Sequence, residues 1–303
     1  MITFFTTAKA FEGHSGIIQR NALKSWKLLR PDVEVILFGD DAGADEVCAE
    51  LELRHEPHVE RHESGMKYLD YMFRRAQQIA RYPYLCYSNC DIVLTEDFRR
   101  AFETATQWRK RFLLIAQRWD TDVTAPLAFD RKDWANDLQQ LAMTSGFRQI
   151  PHYVDFFVFS KGLYDDVPPL VVGRSFWDHW LVWKALSSGS PVLDCTPSIV
   201  PVHQNHGYGY HPLGKQGTNE DALAMRNIAL SGGGRHLRYI IHATHKLESD
   251  GRIHWITWRR VVRGCTPRSL KQSFAEATLP LRKRLGLRRE AIGKILGRRT
   301  SSS

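Results

Sequence analysis

Tyr84-Leu85-Cys86-Tyr87-Ser88-Asn89-Cys90-Asp91-Ile92-Val93-Leu94 is the stretch on which the reading of this chain turns. Its first four residues form an apolar run of the length of a buried strand, and the run then breaks into Ser88-Asn89-Cys90-Asp91. In open α/β sheets the carboxyl ends of the strands open onto the ligand crevice. An acid there, with an amide two residues earlier, can hold a divalent cation against a phosphate group, because magnesium and manganese share oxygen ligands with substrate phosphates. Asp91 is the natural ligand, and Asn89 can add its carbonyl oxygen or hydrogen-bond a ribose. Equally, the two residues could do no more than shape a turn or cap the next element.

The residues before this stretch spell strand, helix, strand. Ile2-Thr3-Phe4-Phe5-Thr6-Thr7 is rich in β-formers, and Ile18, Ala22, Trp26 and Leu29 recur at helical spacing until Pro31 closes the helix. Val33 to Phe38 is a second strand, followed by the acidic loop Gly39-Asp40-Asp41. A helix over Ala44 to Leu51 and an amphipathic one carrying Met66, Leu69, Phe73 and Ala76 lead back to the quoted strand. This alternation predicts a mostly parallel sheet covered by helices.

After it come a helix (97–108), a strand (112–116), and then Val154-Asp155-Phe156-Phe157-Val158-Phe159, which reads as a strand interrupted by one acid. A buried carboxylate without partners is costly, so Asp155 must face solvent in a cleft or hydrogen-bond something specific. Phe176 to Ser188 reads as a helix with Asp178 in its first turn. There the acid either complements the helix dipole or serves as a general base toward a sugar hydroxyl. Trp177, Trp180 and Trp183 suit core packing, with Trp177 free to face a sugar. A strand over 191–194 precedes a loop from Val202 to Gly217 rich in His, Tyr and Gly. His203 and His206 sit three apart in it, and neutral imidazoles complete the shell of an ion such as manganese. Lys215 follows, placed to neutralise a diphosphate leaving group.

Taken in this order, the Asn-x-Asp element, the Val154–Phe159 strand, Trp177-Asp178-x-Trp180-Leu181 and Val202-His203-Gln204-Asn205-His206 resemble GT-A nucleotide-diphospho-sugar glycosyltransferases. They are most similar to a subgroup of bacterial and plant proteins with Asn-Ser-Asp-Ile at this place. The resemblance spans about residues 1–247. It implies an α/β, GT-A-like, Rossmann-type sheet in one large domain (1–250); the basic, partly helical extension (251–303) lies outside it and is read from its charge. It also implies a UDP- or GDP-type sugar donor held through Mn²⁺ or Mg²⁺ and a glycan-type acceptor. Asp91 matches the second acid of the family's Asp-x-Asp element, while Asn89 replaces the first and removes one negative charge. His203 or His206 resembles the late metal ligand, Asp178 the catalytic base, and Asp155 lies where the acceptor enters. Thr6, Thr7 and Asp40 stand where such enzymes hold the base and ribose.

Composition bounds the rest. The chain has 303 residues, 43% hydrophobic and 25% charged, as an ordinary globular protein does. Its net charge of +9 is uneven: residues 252–303 hold 14 Lys/Arg against 2 Asp/Glu, and residues 1–251 hold 28 against 31. The basicity therefore belongs to the tail and does not argue for nucleic-acid binding by the main domain. In the tail Leu279, Leu281, Leu285, Ile292, Ile295 and Leu296 are interleaved with basic residues, which fits either peripheral contact with anionic lipid or a solvated extension. No run approaches the roughly 20 apolar residues of a membrane span, and no leader is apparent, so a cytoplasmic protein is expected. Five cysteines without paired spacing fit reduced thiols. Two rival readings are a sugar nucleotidyltransferase and a non-catalytic carbohydrate- or nucleic-acid-binding protein. The first usually has a Gly-rich basic loop after strand one, which Ala8-Lys9-Ala10-Phe11-Glu12-Gly13 matches poorly.

Overall fold

The computed structural model describes residues 1–29, 33–207 and 214–256, without the side chains of Gly214 and Lys215. The chain begins β1 (Ile2–Thr7), α1 (Gly13–Lys27), β2 (Val33–Phe38), α2 (Ala44–Glu50), β3 (Arg54–Glu56), α3 (Leu69–Ile79), β4 (Tyr84–Ser88) and β5 (Ile92–Val93). It continues α4 (Glu96–Trp108), β6 (Leu113–Ile115), β7 (Trp119–Thr121), α5 (Trp134–Ser145), β8 (Phe147–Arg148), β9 (Phe156–Ser160) and α6 (Trp177–Ser187). The last elements are β10 (Val192–Asp194), β11 (Val202–Gln204), α7 (Gly214–Glu220), α8 (Ala222–Leu230), two short 3₁₀ turns, β12 (His245–Leu247) and β13 (Ile253–Trp255).

Nine strands form the main sheet in the order β13-β12-β10-β6-β9-β4-β1-β2-β3. Pairing is parallel from β3 through β2 and β1 to β4, and again from β6 through β10 to β12, while β9 and β13 run antiparallel to their neighbours. The strand alternation splits the sheet's side chains between two cores. Phe4, Val35, Leu37, Cys86 and Phe156 face one, where α1, α2 and α4 contribute Trp26, Val47 and Phe98. Phe5, Ile36, Phe38, Tyr87 and Phe157 face the other, where α3 and α6 contribute Phe73 and Leu181. The result is an α/β/α sandwich, as the alternation predicts. A second sheet, β5-β11-β7-β8, stands beside it, and α5 buries Leu138 and Ala142 with Val93 and Val202 there.

Several expectations are corrected. The strand expected over Val154–Phe159 begins its ladder at Phe156, so Asp155 precedes the strand instead of interrupting it. The segment expected as a loop from Val202 opens with a three-residue strand, because Val202 is buried and its backbone pairs on both sides. Trp177 packs edge-on against Tyr87 and Phe157, at 5.3 and 5.7 Å between ring centres, which places it in the core and away from a sugar. Basic residues begin at Arg252, yet Ile253–Trp255 still pairs with β12. Pro31, Tyr208, Tyr210, Cys265 and the tail from residue 257 lie outside the described residues. Among the described residues no helix is long and apolar enough to cross a membrane.

Candidate functional site

β4 ends at Ser88, and the turn Asn89-Cys90-Asp91 carries the chain into β5. β5 pairs antiparallel with β11, with Ile92 opposite His203, and Gln204 N donates to the Asp91 carbonyl at 3.1 Å. This short ladder brings the imidazoles to the strand end. His206 Nε2 lies 3.0 Å and His203 Nε2 3.7 Å from Asp91 Oδ2, and one ligand atom from each residue falls within 4.8 Å of the others. Asp91 Oδ1 is buried and has no hydrogen-bond partner among the described residues. A buried carboxylate oxygen left unpaired is costly unless something positive meets it. One carboxylate and two imidazoles fit a borderline transition-metal dication such as Mn²⁺ better than Mg²⁺, which prefers oxygen. The residues therefore suit the ion that the sequence implies.

Electrostatics agree with the geometry. Burial alone would raise the Asp91 carboxyl, but His203, His206 and Arg118 outweigh it and hold the group well below the usual carboxylate range. The contact with Asp91 raises the His206 imidazole, with burial acting against it.

Behind these groups lies a polar network that sequence reasoning did not find. Arg118, 6% exposed, reaches Asp155 Oδ2 and Asp120 Oδ1, each at 2.8 Å. Asn89 donates its side-chain amide to Asp155 Oδ1 at 2.7 Å and its backbone N–H to the Asp155 carbonyl at 2.9 Å. Asp120 in turn faces His203 Nδ1 at 3.1 Å and accepts from Gln149 at 2.6 Å. Burial works to raise the Asp120 carboxyl, yet His203, Arg118 and Gln149 bring it down to about 2. Asp155 is thus specifically hydrogen-bonded, one of the two outcomes its position demanded. The pattern Arg118-x-Asp120 at the start of a short strand was the signal available in the sequence. Lys9 was overlooked as well: it is near enough for its charge to act on both Asp91 and His206, and partial desolvation lowers its amine.

Asp178 sits in the first turn of α6, partly exposed, with His179 Nδ1 at 3.9 Å from its carboxylate. Burial raises its carboxyl above the ordinary value, the neighbouring His179 pulls the other way, and Asp155 adds to the rise. Phe176 caps the start of the helix, and its φ of +86° lies in the left-handed region that non-glycine residues rarely occupy. His152, His179 and Tyr239 form an aromatic wall beside this turn, with ring centres 3.8 Å (His152 to Tyr239) and 4.7 Å (His179 to Tyr239) apart. Burial pushes His152 down to about 4, so it adds no positive charge there at neutral pH.

The remaining candidates are placed as follows. Thr6 donates to the Ser88 carbonyl at 2.6 Å and Thr7 to the Phe38 carbonyl at 2.9 Å, tying β1 to β4 and β2 at their ends. Asp40, exposed after β2, pairs with Arg61, and the adjacent Asp41 pairs with the buried Lys67. Lys215 opens α7, its side chain outside the described residues.

No protein-family profile matches the chain, and no curated protein does. The chain is similar to several solved structures at low identity. Glucosyl-3-phosphoglycerate synthase from Mycobacterium tuberculosis, in complex with Mg²⁺ and uridine diphosphate, matches at TM-score 0.46 and 12% identity over 77% of this chain and 80% of its own. S. aureus TarS 1–349 in complex with UDP-GlcNAc matches at 0.47 and 10%, over 68% of this chain and 58% of its own. A putative nucleotide-diphospho-sugar transferase from Desulfovibrio desulfuricans matches at 0.41 and 12%, over 76% and 96%. The architecture itself, an α/β fold with a mostly parallel sheet between helices, rests on the strand order of this chain.

Proposed function

We propose that the protein is a metal-dependent glycosyltransferase that moves a sugar from a nucleotide-diphosphate donor to an acceptor hydroxyl, with a glycan or glycoconjugate as acceptor. The observation that carries this reading is the meeting of Asp91, His203 and His206 at the carboxyl end of β4, with Asp91 Oδ1 left unpaired. A dication held by three protein ligands keeps open positions that a diphosphate's oxygens can fill.

The donor's base and ribose lie at the ends of β1 and β2, by Thr6, Thr7 and Asp40. Its diphosphate lies over Asp91, His203 and His206. Asn89 keeps its amide nitrogen on Asp155 and turns its side-chain oxygen toward the donor. A bound Mn²⁺ would supply positive charge to the departing diphosphate, and Lys9 adds to that charge from the protein. Asp178 takes the proton of the acceptor hydroxyl, whose oxygen forms the new bond to the anomeric carbon as the bond to the diphosphate breaks. A raised carboxyl suits a general base because its conjugate acid holds the proton more firmly. Arg118 and Asp155 do not touch substrate in this scheme; they hold Asn89 and the metal ligands in place.

The test is a screen of nucleotide sugars for hydrolysis and for thermal shift, with and without Mn²⁺. A UDP- or GDP-sugar that stabilises the protein only with Mn²⁺ supports the reading. Retention of full transfer activity in Asp91→Ala would falsify it. A nucleotidyltransferase would instead consume a nucleoside triphosphate and a sugar phosphate, and a binding protein would have no need of the ion.

A further inference from the structure

Resting on the metal reading of this site, we infer that Asp120 is a positioning residue that fixes the ring of His203 and so sets the affinity of the Asp91–His203–His206 site for its ion. β7 runs parallel to β11 with Asp120 in register with His203, so the carboxylate and imidazole rise side by side. The imidazole lies between two carboxylates, with Nδ1 3.1 Å from Asp120 Oδ1 and Nε2 3.7 Å from Asp91 Oδ2. Nδ1 and Asp120 Oδ1 are both buried, and among the described residues neither has a counted hydrogen bond; they meet as a close ion-pair contact, with Arg118 Nε on the same oxygen. An imidazole has one nitrogen to give to a metal only if the other carries the proton, and a carboxylate facing that other nitrogen selects this tautomer.

Asp120 is itself held from outside the site. Gln149 donates to its Oδ2 at 2.6 Å, and Arg118 Nε stands 2.8 Å from its Oδ1. Arg118 carries Asp155 as well, and Asp155 anchors Asn89 in the turn that bears Asp91. One buried guanidinium thus braces both sides of the ligand set, the strand bearing His203 through Asp120 and the turn bearing Asp91 through Asp155. Outer carboxylates of this kind typically alter metal affinity by about 10–100-fold when removed.

Asp120→Asn tests the assignment in the full-length protein. Mn²⁺ affinity is read by titration of free-ion EPR signal, ligation by pulsed EPR, which counts coordinated nitrogens, and folding by near-UV circular dichroism. The folded variant should bind Mn²⁺ about 10–100-fold more weakly and show altered nitrogen coupling from one of the two imidazoles. Wild-type affinity overturns the inference. So does weaker binding with both nitrogen couplings intact, which would assign Asp120 to the general charge of the site. If Asp120→Asn does not fold, Gln149→Leu, which releases Asp120 Oδ2, is read in its place. A smaller loss of affinity with the same change in coupling supports the role, and unchanged affinity overturns it. A wild-type protein that takes up no Mn²⁺ would overturn the metal site itself, an outcome distinct from any result with the variants.

Discussion

Replacing Arg118 by methionine keeps most of the side-chain volume and deletes the charge on which two carboxylates close, Asp155 buried and Asp120 partly exposed. Arg118 is 6% exposed and lies 2.8 Å from oxygens of both Asp120 and Asp155. Leaving a buried partner uncompensated costs on the order of 3–5 kcal/mol. For a domain of this size that corresponds to a fall in Tm of roughly 6–20 °C. The cost should also depend on pH. The Asp120 carboxyl is lowered from 3.8 to about 2 in the folded protein, so it contributes stability that is present above its unfolded value and lost as pH falls through its folded one. The shift corresponds to about 2–3 kcal/mol, of which Arg118 supplies a part, with His203 and Gln149 supplying the rest. In Arg118→Met that carboxyl titrates nearer its ordinary value, and the gap between wild type and variant should narrow as pH falls from about 4 toward 2. Urea denaturation of the EDTA-treated protein at neutral pH and through this acid range measures both effects. A loss below about 1 kcal/mol at neutral pH, the range of an exposed ion pair, would refute the account of Arg118 as a buried brace. A loss that stays constant with pH would refute the linkage argument alone.

Mn²⁺ at about a hundred times its Kd should stabilise the wild-type protein by roughly 2.7 kcal/mol, and Asp91→Ala should show no such thermal shift. Asp178→Asn should lower kcat by about 10²–10⁴-fold with Mn²⁺ affinity unchanged, and equal losses of both would assign Asp178 to binding. Because burial raises the Asp178 carboxyl, the acid limb of the pH–rate profile should fall above the ordinary carboxylate value, with the rate rising as pH increases through it. Trp26 donates its buried indole N–H to the Ile92 carbonyl at 2.9 Å, beside Asp91, so Trp26→Phe should cost about 1–3 kcal/mol in chemical denaturation. If the tail contacts anionic lipid, full-length protein floats with anionic vesicles in a salt-sensitive manner and truncation after residue 256 abolishes flotation; unchanged flotation would reject a membrane role for the tail.

The sequence reveals the first half of the fold well because periodicity and punctuation agree there. Phe4 and Phe5 diverge to opposite cores as strand alternation requires, and α3 shows its Leu69, Met72, Phe73 and Ala76 stripe directly. Strand direction is another matter. Phe156 to Phe159 is buried on both faces, and such a run reads the same whether it pairs parallel or antiparallel, so the reversal of β9 left no mark. α5 was invisible for a different reason: it buries only Leu138 and Ala142, too little for an apolar stripe, and leaves Leu141 and Met143 exposed. Asp91, His203 and His206 could be singled out because ligand chemistry restricts which residue types serve. Arg118 and Asp120 could not, since their meaning lies in partners at positions 149, 155 and 203, and only the fold brings those together.

The two-residue ladder between β5 and β11 joins parts of the site 115 residues apart in the chain, Asp91 on one side and His206 on the other. During synthesis the amino-terminal half can therefore form its strands and helices while the proposed ion-binding pocket does not yet exist. The second half must arrive and dock before a cation finds more than a single carboxylate. A protein assembled in this order has a built-in safeguard: nascent or prematurely terminated chains that end before β11 should be inert toward both ion and donor. By the same reasoning, two fragments divided between residues 160 and 200 and then mixed would regain metal uptake only on association, which makes the ion a reporter of completed assembly.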